Sequence, residues 1–266
     1  MFIIEDNRIE SLTVTSANVN YPKENLLNRH LLQKYQSTSN EVTLTMDISM
    51  FNTLTIFNTN AVIGTLRVYD KDNSNAIVTE RVDEIFETTG SSKASVSTIA
   101  TQDGVLRNLI LYNNNNVSAN TMLADTVANA FVVLNLKAKI DQVLQIGLMF
   151  GGFMQQYGYV QTSNDVYEVY DNLKFSQNGT PYTKFRPARM DLSLNLLLDP
   201  YDYPKFIKLL NRKAIADDRF MVIATCSSSS LLFSFNGLKY GFFQYPESHS
   251  RNGVYNVLKT TFIQGL

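Results

Sequence analysis

The sequence has no tryptophan, one cysteine and two histidines among its 266 residues. The single cysteine, Cys226, excludes an intrachain disulfide and a thiolate zinc cluster, so stability must come from packing. Lysine and arginine number 23 against 24 acidic residues, and this balance gives no positive field that would attract nucleic acid or an anionic membrane. The apolar runs are too short to span a bilayer. We therefore expect no nucleic-acid partner and no membrane insertion.

The common signatures of enzymes and cofactor sites are also missing. There is no Gly-x-Ser-x-Gly elbow, no phosphate loop with Gly-Lys-Thr or Gly-Lys-Ser, and no Gly-x-Gly-x-x-Gly after a strand. His30 and His249 show no spacing toward carboxylates that would signal a metal site, and we expect both in surface loops. Cys226 follows an apolar run, which favours a strand end over an activated thiol. We predict no catalytic residue, no cofactor-binding residue and no metal ligand; the protein is not expected to be an enzyme.

Two sets of acidic residues could have a chemical function as well as a structural one. Three residues are close enough in sequence to suggest a carboxylate pair for glycoside hydrolysis, but a solvated loop is favoured: Asp83, Glu84 and Glu87. Asp70 and Asp72, with Asn73 and Asn75, could supply oxygen ligands to calcium. Their spacing lacks the glycine and terminal glutamate of a recognised calcium loop, so turn chemistry is favoured while calcium stays open.

Alternating apolar and polar residues dominate the first half of the chain, as in Val42–Ile48 and Leu54–Ile56. This is the period of a half-buried strand, and many short strands at this spacing predict a sandwich. The run Asn113 to Asn116 favours a loop tip. Further strands are predicted at Ile9–Ser16, Leu66–Tyr69, Ile77–Val82, Leu106–Tyr112, Phe131–Leu136 and Val143–Phe150.

The character of the chain changes after Gly151-Gly152, and five of the six prolines lie in the last third. We predict a β-sandwich over residues 1–155 and a smaller α+β domain over 156–266. Its one clear helix is expected from about Asp202 to Ala214, with Asp202 capping the free amides and Pro204 in the first turn. The predicted apolar stripe is Phe206, Leu209 and Leu210. Strands are predicted at Arg189–Leu198, Phe220–Thr225, Leu231–Phe235, Gly237–Tyr245 and Val254–Phe262.

Tyrosine is abundant, with 14 copies beside 16 phenylalanines. Tyrosine-rich clusters suit a protein interface, although tyrosines partly buried under loops are an equal alternative. The absence of tryptophan counts against a sugar-binding surface, since tryptophan offers the largest stacking face. The clusters are Tyr157, Tyr159, Tyr167 and Tyr170, and then Tyr201 and Tyr203.

The stretch Ser16–Ser39 carries an ordered motif of a turn, a short connector and a Ser-Thr pair. Its residues are Tyr21, Pro22, Asn25, Leu26, Leu27, Ser37 and Thr38. This order resembles a module of bacteriophage structural proteins, and the strands after it are similar to those of discoidin-like, galactose-binding-type jelly rolls. That family often has tryptophan before the serine pair, whereas this chain has Tyr35-Gln36.

The second half resembles the same proteins. There, a basic residue precedes an alternating strand, a short helix and closing strands with Tyr-Gly in the middle. The matching residues here are Arg186 and Arg189, Met190–Leu198, Tyr203–Ala214 and Tyr240-Gly241.

The resemblance implies a mainly β protein with an N-terminal jelly roll and a C-terminal part that docks on a phage tail tube. It implies a virion protein of the tail tip or baseplate (a distal tail protein), with copies of itself and other tail proteins as partners. Because the start of the chain shows no basic leader, we expect synthesis in the host cytoplasm and residence in the tail. The alternative is a carbohydrate-binding module for a host-surface glycan. An enzyme acting on host envelope polymers ranks last, since no candidate constellation supports it.

Overall fold

The computed structural model describes residues 1–31, 33–85, 95–101, 104–112, 126–168, 172–175, 181–184, 189–215, 219–226 and 235–265. These residues form a mainly β fold with one α-helix, which confirms the predicted fold class. The chain divides into two compact units. Unit 1 comprises Met1–Gln156 and Phe220–Lys239, and unit 2 comprises Tyr157–Arg219 and Tyr240–Leu266. The prediction of domains at 1–155 and 156–266 stays a prediction.

Strands of the described residues are numbered β1 to β21 in chain order. Unit 1 begins with β1 Phe2–Ile4, β2 Ile9–Val14, a 3-10 turn at Lys23–Leu26, β3 Tyr35–Gln36, β4 Glu41–Phe51, β5 Thr53–Thr59, β6 Ile63–Asp70, β7 Ala76–Ile85, β8 Ser95–Thr101, β9 Gly104–Tyr112, β10 Val127–Lys137, β11 Gln145–Ile146, β12 Leu148–Gly152 and β13 Met154–Gln156. The later elements are β14 Tyr159–Glu168, β15 Asn172–Phe175, β16 Pro181–Lys184, β17 Arg189–Leu198, α1 Asp202–Ile215, β18 Met221–Cys226, β19 Phe235–Phe243, β20 Ser248–Asn252 and β21 Tyr255–Gln264.

Two antiparallel sheets of unit 1 share one hydrophobic core. One sheet has the order β2-β4-β10-β6-β7 and the other has the order β12-β5-β9-β8. Strand β4 buries every second side chain, and its core face packs in one cluster with Leu54 and Ile56 of β5 and Met149 of β12. This arrangement is a β-sandwich, because alternation places one face of each sheet inside and leaves the other toward solvent.

Strand β1 shows why residues 220–239 belong to unit 1. It pairs with β13 on one side and with β18 on the other, and both pairings are antiparallel. The three residues of β1 are at most 2% exposed. A strand buried on both faces is expected to be a continuous apolar run, as Phe-Ile-Ile is here.

Most predicted strands are confirmed within a few residues, but the segment Val143–Phe150 is not one strand. It divides at Gly147 into β11, which pairs with β3, and β12, which pairs with β5. The N–H of Gly147 donates to the carbonyl of Phe57 at 2.9 Å, and a Cβ on Gly147 would lie 2.9 Å from the carbonyl oxygen of Leu31. Close backbone approach therefore interrupts the strand where only glycine fits. The Asn113–Asn116 run and most of Leu231–Phe235 lie outside the described residues.

Three asparagine side chains hold the segment from Val143 to Met154 in place. Each donates through Nδ2 to a backbone carbonyl and accepts a backbone N–H through Oδ1. Asn60 bonds the carbonyl of Val143 and the N–H of Gln145, both at 2.9 Å. Asn7 and Asn52 use the same pair of bonds farther along the segment. The amide thus replaces a missing strand neighbour, because it offers an N–H donor and a carbonyl acceptor side by side, as a backbone does.

Unit 2 contains a sheet segment in which β17 lies between β14 and β21. Strand β21 also pairs with β20 and with residues 241–243 of β19. The predicted helix is confirmed as α1, which ends one residue later than expected, at Ile215. Its buried residues include the predicted Phe206, Leu209 and Leu210. Phe206 packs edge-on against Phe243, with ring centroids 5.3 Å apart.

The cap of α1 differs from the prediction. Asp199, three residues earlier, accepts the backbone N–H groups of Tyr201 at 2.8 Å and Asp202 at 2.6 Å. The carboxylate of Asp202 instead accepts the N–H of Gly158 at 3.1 Å. The prediction for Asp202 was wrong, because its carboxylate is engaged by the N–H of Gly158 in the turn before β14 and Asp199 accepts the amides that lead into the helix.

Candidate interaction surface

The motif residues of the first half of the chain connect the Ser16–Ser39 segment to the β-sandwich. Leu26 is fully buried, and Asn25 Nδ2 donates to the carbonyl of Lys34 at 2.9 Å. Tyr35 is also fully buried, and its hydroxyl donates to the carbonyl of Ser16. Burial raises the pKa of Tyr35 to about 12. The turn and the connector are thereby joined to the sandwich edge.

Ser37 is the centre of the hydrogen bonds at the end of this connector. Its side chain is 1% exposed, and its hydroxyl oxygen accepts the N–H groups of Leu144 and Ser39, each at 3.2 Å. The same hydroxyl donates to the carbonyl of Ser39. Thr38, the other member of the pair, is exposed and shares a 2.6 Å hydrogen bond with Ser16. These contacts give the motif a role in folding.

The start of α1 carries an aromatic cluster, which we define as Tyr201, Tyr203 and His249. The imidazole of His249 stacks on the ring of Tyr203, with centroids 4.9 Å apart and planes 22° apart. His249 Nε2 lies 3.0 Å from Asn256 Oδ1. Tyr201 is 69% exposed, and the ammonium of Lys205 sits 3.5 Å from its ring centroid. This geometry presents aromatic surface and positive charge together.

The outward face of α1 extends this surface along the helix. Positions 201, 205, 208, 212 and 215 follow the spacing of one helical face, and all five side chains are exposed. Three of them are basic and none is acidic. We call this set the outer stripe: Tyr201, Lys205, Lys208, Arg212 and Ile215. Lys205 and Lys208 form no ion pair with any residue that the structure describes.

The other tyrosines of the predicted clusters have different environments. Tyr157 is 2% exposed and packs on Phe206, with centroids 5.9 Å apart. Tyr159 is 64% exposed. The backbone of Tyr167 pairs with Met190 in the ladder of β14 and β17, while Tyr170 lies outside the described residues. The clusters thus combine both alternatives: part of them packs inside unit 2 and part reaches the surface.

The two histidines are both exposed, but only His30 lies in a loop. The loop prediction for His249 was wrong, because residues 248–252 pair with β21 as β20. Cys226 ends β18, which confirms its predicted place at a strand end. No group of three or more metal-ligating side chains occurs within the described residues.

Residues 70–75, considered above for calcium, have the geometry of a turn. Asp70 Oδ1 accepts the N–H of Asp72 at 3.0 Å, and Ser74 and Asn75 adopt positive φ angles of 53° and 57°. The carboxylate of Asp72 accepts two bonds from Asn129 Nδ2 at 2.8 and 2.9 Å. Asp70 thus caps the tight connection between β6 and β7, and Asp72 ties that connection to Asn129 of β10.

The acidic residues considered for glycoside hydrolysis are not all in a loop. Asp83 and Glu84 belong to β7, and Glu84 pairs with Gly64 of β6. The loop prediction was wrong for these two because the β6 and β7 pairing continues past them. Glu87 lies outside the described residues.

Within the described part of the chain, no helix has both the length and the hydropathy needed to cross a membrane.

Comparison with known proteins finds no matching family model, no matching curated protein and no matching solved structure.

The outer stripe of α1 was missed by sequence reasoning, which used the helix only for its apolar side. The signal was available, since the spacing of Lys205, Lys208 and Arg212 is that of one helical face. The same period that predicts the buried stripe of Phe206, Leu209 and Leu210 places these basic residues on the opposite face of the helix.

Proposed function

We propose that this protein is a structural component of a bacteriophage virion, located at the tail tip or baseplate, where copies assemble as a symmetric ring and dock on the tail tube. The observation that carries the proposal is the exposed aromatic and basic surface at α1, on a helix anchored by Phe206 to a sheet. A rigid β framework with an exposed side-chain surface is suited to repeated contacts between subunits.

The ordered motif of the first half supports the same function. In this chain the motif residues tie the Ser16–Ser39 segment to the sandwich through buried Tyr35 and Ser37. The segment is therefore part of the rigid framework. A framework of this kind keeps its surface geometry when it is copied around a ring, and the virion proteins that the motif resembles need that property.

Immunogold electron microscopy on particles from the source culture tests the proposal directly. Antibody is raised against the full chain, because a truncation at residue 156 would also remove β18, the partner of β1 in unit 1. We expect gold at the distal end of tails. Antibody depleted on the recombinant protein is the control and should label nothing. Labelling of capsids alone, or of no particle, would contradict the proposal.

The second candidate is a module that binds a host-surface glycan, favoured by the exposed tyrosines. Tyr159 and Tyr245 are each 64% exposed, and a tyrosine face can stack on a sugar ring. A glycan array with the full chain separates the candidates. Two results together would support the glycan module over the tail protein. The wild type would bind a glycan that the double variant Tyr159→Ser/Tyr245→Ser does not bind, and gold would label no particle.

A further inference from the structure

We propose that the outer stripe of α1 is a contact between copies of this chain, in which unit 2 of one copy binds the acidic unit 1 of the next. The inference rests on the proposed function and deepens it, because it names the surface and the chemistry by which a ring would close. The occupant of the stripe is a second copy of the same protein.

The shape of the stripe suits such a contact. Helix α1 has 14 residues, so its outer face is about 21 Å long. Tyr201 and Ile215 lie at its two ends, 69% and 87% exposed, and the basic residues lie between them. A partner can desolvate the two ends, while Lys205 and Lys208, which form no ion pair with a described residue, suit carboxylates on that partner.

The charge of the chain supplies those carboxylates. By sequence, unit 1 contains 15 acidic and 12 basic residues, whereas unit 2 contains 9 acidic and 11 basic residues. The two units therefore have opposite net charge, although the whole chain is close to neutral at -1. This difference in net charge favours contacts between unlike units of two copies over contacts between like units.

This charge distribution also selects the symmetry of the contact. A twofold contact of the stripe with itself would place its basic residues against the basic residues of the other copy, because the stripe contains no acidic residue. A head-to-tail contact instead places the stripe against unit 1, whose net charge is negative. Head-to-tail contacts generate rings when the rotation closes, which is the assembly that the proposed function requires.

Sedimentation of the full chain at low and high salt tests the inference. We expect the wild type to sediment as a closed oligomer in about 0.05 M salt and to dissociate as salt screens the contact. The double variant Lys205→Glu/Lys208→Glu should associate about tenfold to hundredfold more weakly, because like charges then face each other. Circular dichroism should show an unchanged fold, since both side chains are exposed.

Two matched single variants control for net charge. Lys208→Glu and Lys139→Glu each change the charge by the same amount, but Lys139 is an exposed residue of unit 1. We expect only Lys208→Glu to weaken assembly. Oligomers of the double variant equal to wild type would overturn the inference, and so would a wild type that remains monomeric.

Another acidic molecule is a distinct outcome of the same experiment. A wild-type monomer that sediments faster only after polyglutamate is added would overturn the self-contact and assign the stripe to a different acidic partner. Tail labelling combined with a stripe-independent ring would leave the proposed function standing and remove only this inference. If no particle is labelled but the ring depends on the stripe, the contact between copies stands and the proposed function is removed.

Discussion

The amide of Asn52 binds both backbone groups of Met154, a residue 102 positions later in the chain. Nδ2 donates to the Met154 carbonyl at 3.0 Å, and Oδ1 accepts the Met154 N–H at 2.8 Å. Asn52 is 1% exposed. One buried side chain thus fixes where β12 ends and β13 begins.

Replacing Asn52 with aspartate should destabilise unit 1 by about 3 kcal/mol or more. The carboxylate cannot donate to the Met154 carbonyl, and it would place a buried negative charge against a carbonyl oxygen. Urea unfolding measures the loss. The control Asn20→Asp makes the same chemical change at an exposed position and should alter the free energy of unfolding by less than about 0.5 kcal/mol. Equal midpoints for the two variants would refute the role of Asn52.

The Ser37-Thr38 pair allows two neighbouring hydroxyls to be compared. Ser37→Ala should cost about 1 kcal/mol, because the Ser39 N–H loses the hydroxyl that accepts it, whereas the Leu144 N–H keeps the Ser39 carbonyl at 3.0 Å. Thr38→Ala should cost about 0.5 kcal/mol, since its bond to Ser16 lies at the surface. Chemical denaturation of both variants checks the order. A larger loss for Thr38→Ala would show that the pair is not organised as described.

The raised pKa of Tyr35 makes a prediction for alkaline solutions. Its pKa is about 12 in the folded protein because of burial, against 10.0 for the ordinary side chain. The folded state therefore holds this proton more tightly than the unfolded state does, and its contribution is fully present below pH 10. It is lost as pH rises from 10 through 12, by up to about 3 kcal/mol.

Tyr35→Phe isolates this effect from the other tyrosines. The variant should be less stable by about 1 kcal/mol at pH 7, because the hydroxyl bond to Ser16 is gone. Between pH 10 and 12 its stability should fall less steeply than that of the wild type. Unfolding free energies of both proteins across this range provide the measurement, and parallel curves above pH 10 would rule out titration of Tyr35.

Local patterns in the sequence predicted the strands and the helix well. The alternation in Val42–Ile48 depends only on neighbours within one strand, and it appears as the core face of β4. The stripe of Phe206, Leu209 and Leu210 likewise needed only the period of a helix. Such patterns are readable because each residue's side is set by its own element.

The features that the sequence did not predict depend on distant residues. Nothing near Asn7, Asn52 or Asn60 indicates that each binds backbone 83 to 144 positions away. The break of Val143–Phe150 at Gly147 depends on the approach of Leu31 and Phe57. The Asp199 contact with the start of α1 and the use of Asp202 by Gly158 likewise depend on how the chain folds back, which no local pattern indicates.

Two glycines of unit 2 offer a final comparison. A Cβ at Gly241 would collide with the backbone carbonyl of Ile263, whereas a Cβ at Gly253 would meet nothing within 4 Å. Gly253 has a φ of 61°, so alanine there carries only the cost of a left-handed backbone, about 1 kcal/mol. Gly241→Ala must instead displace β19 from β21, and we expect a loss of about 3 kcal/mol or more.

Calorimetric melting of Gly241→Ala and Gly253→Ala tests this difference. Gly241 is buried in the pairing of β19 with β21, where Phe242 lies opposite Ile263 and Phe243 opposite Phe262. Phe243 also contacts Phe206, so the displacement should reach the core beneath α1. The Gly241 variant should therefore melt at a clearly lower temperature than the Gly253 variant. If the two melt together, the backbone at Gly241 has room to move, and the close approach of β19 to β21 does not determine the stability of unit 2.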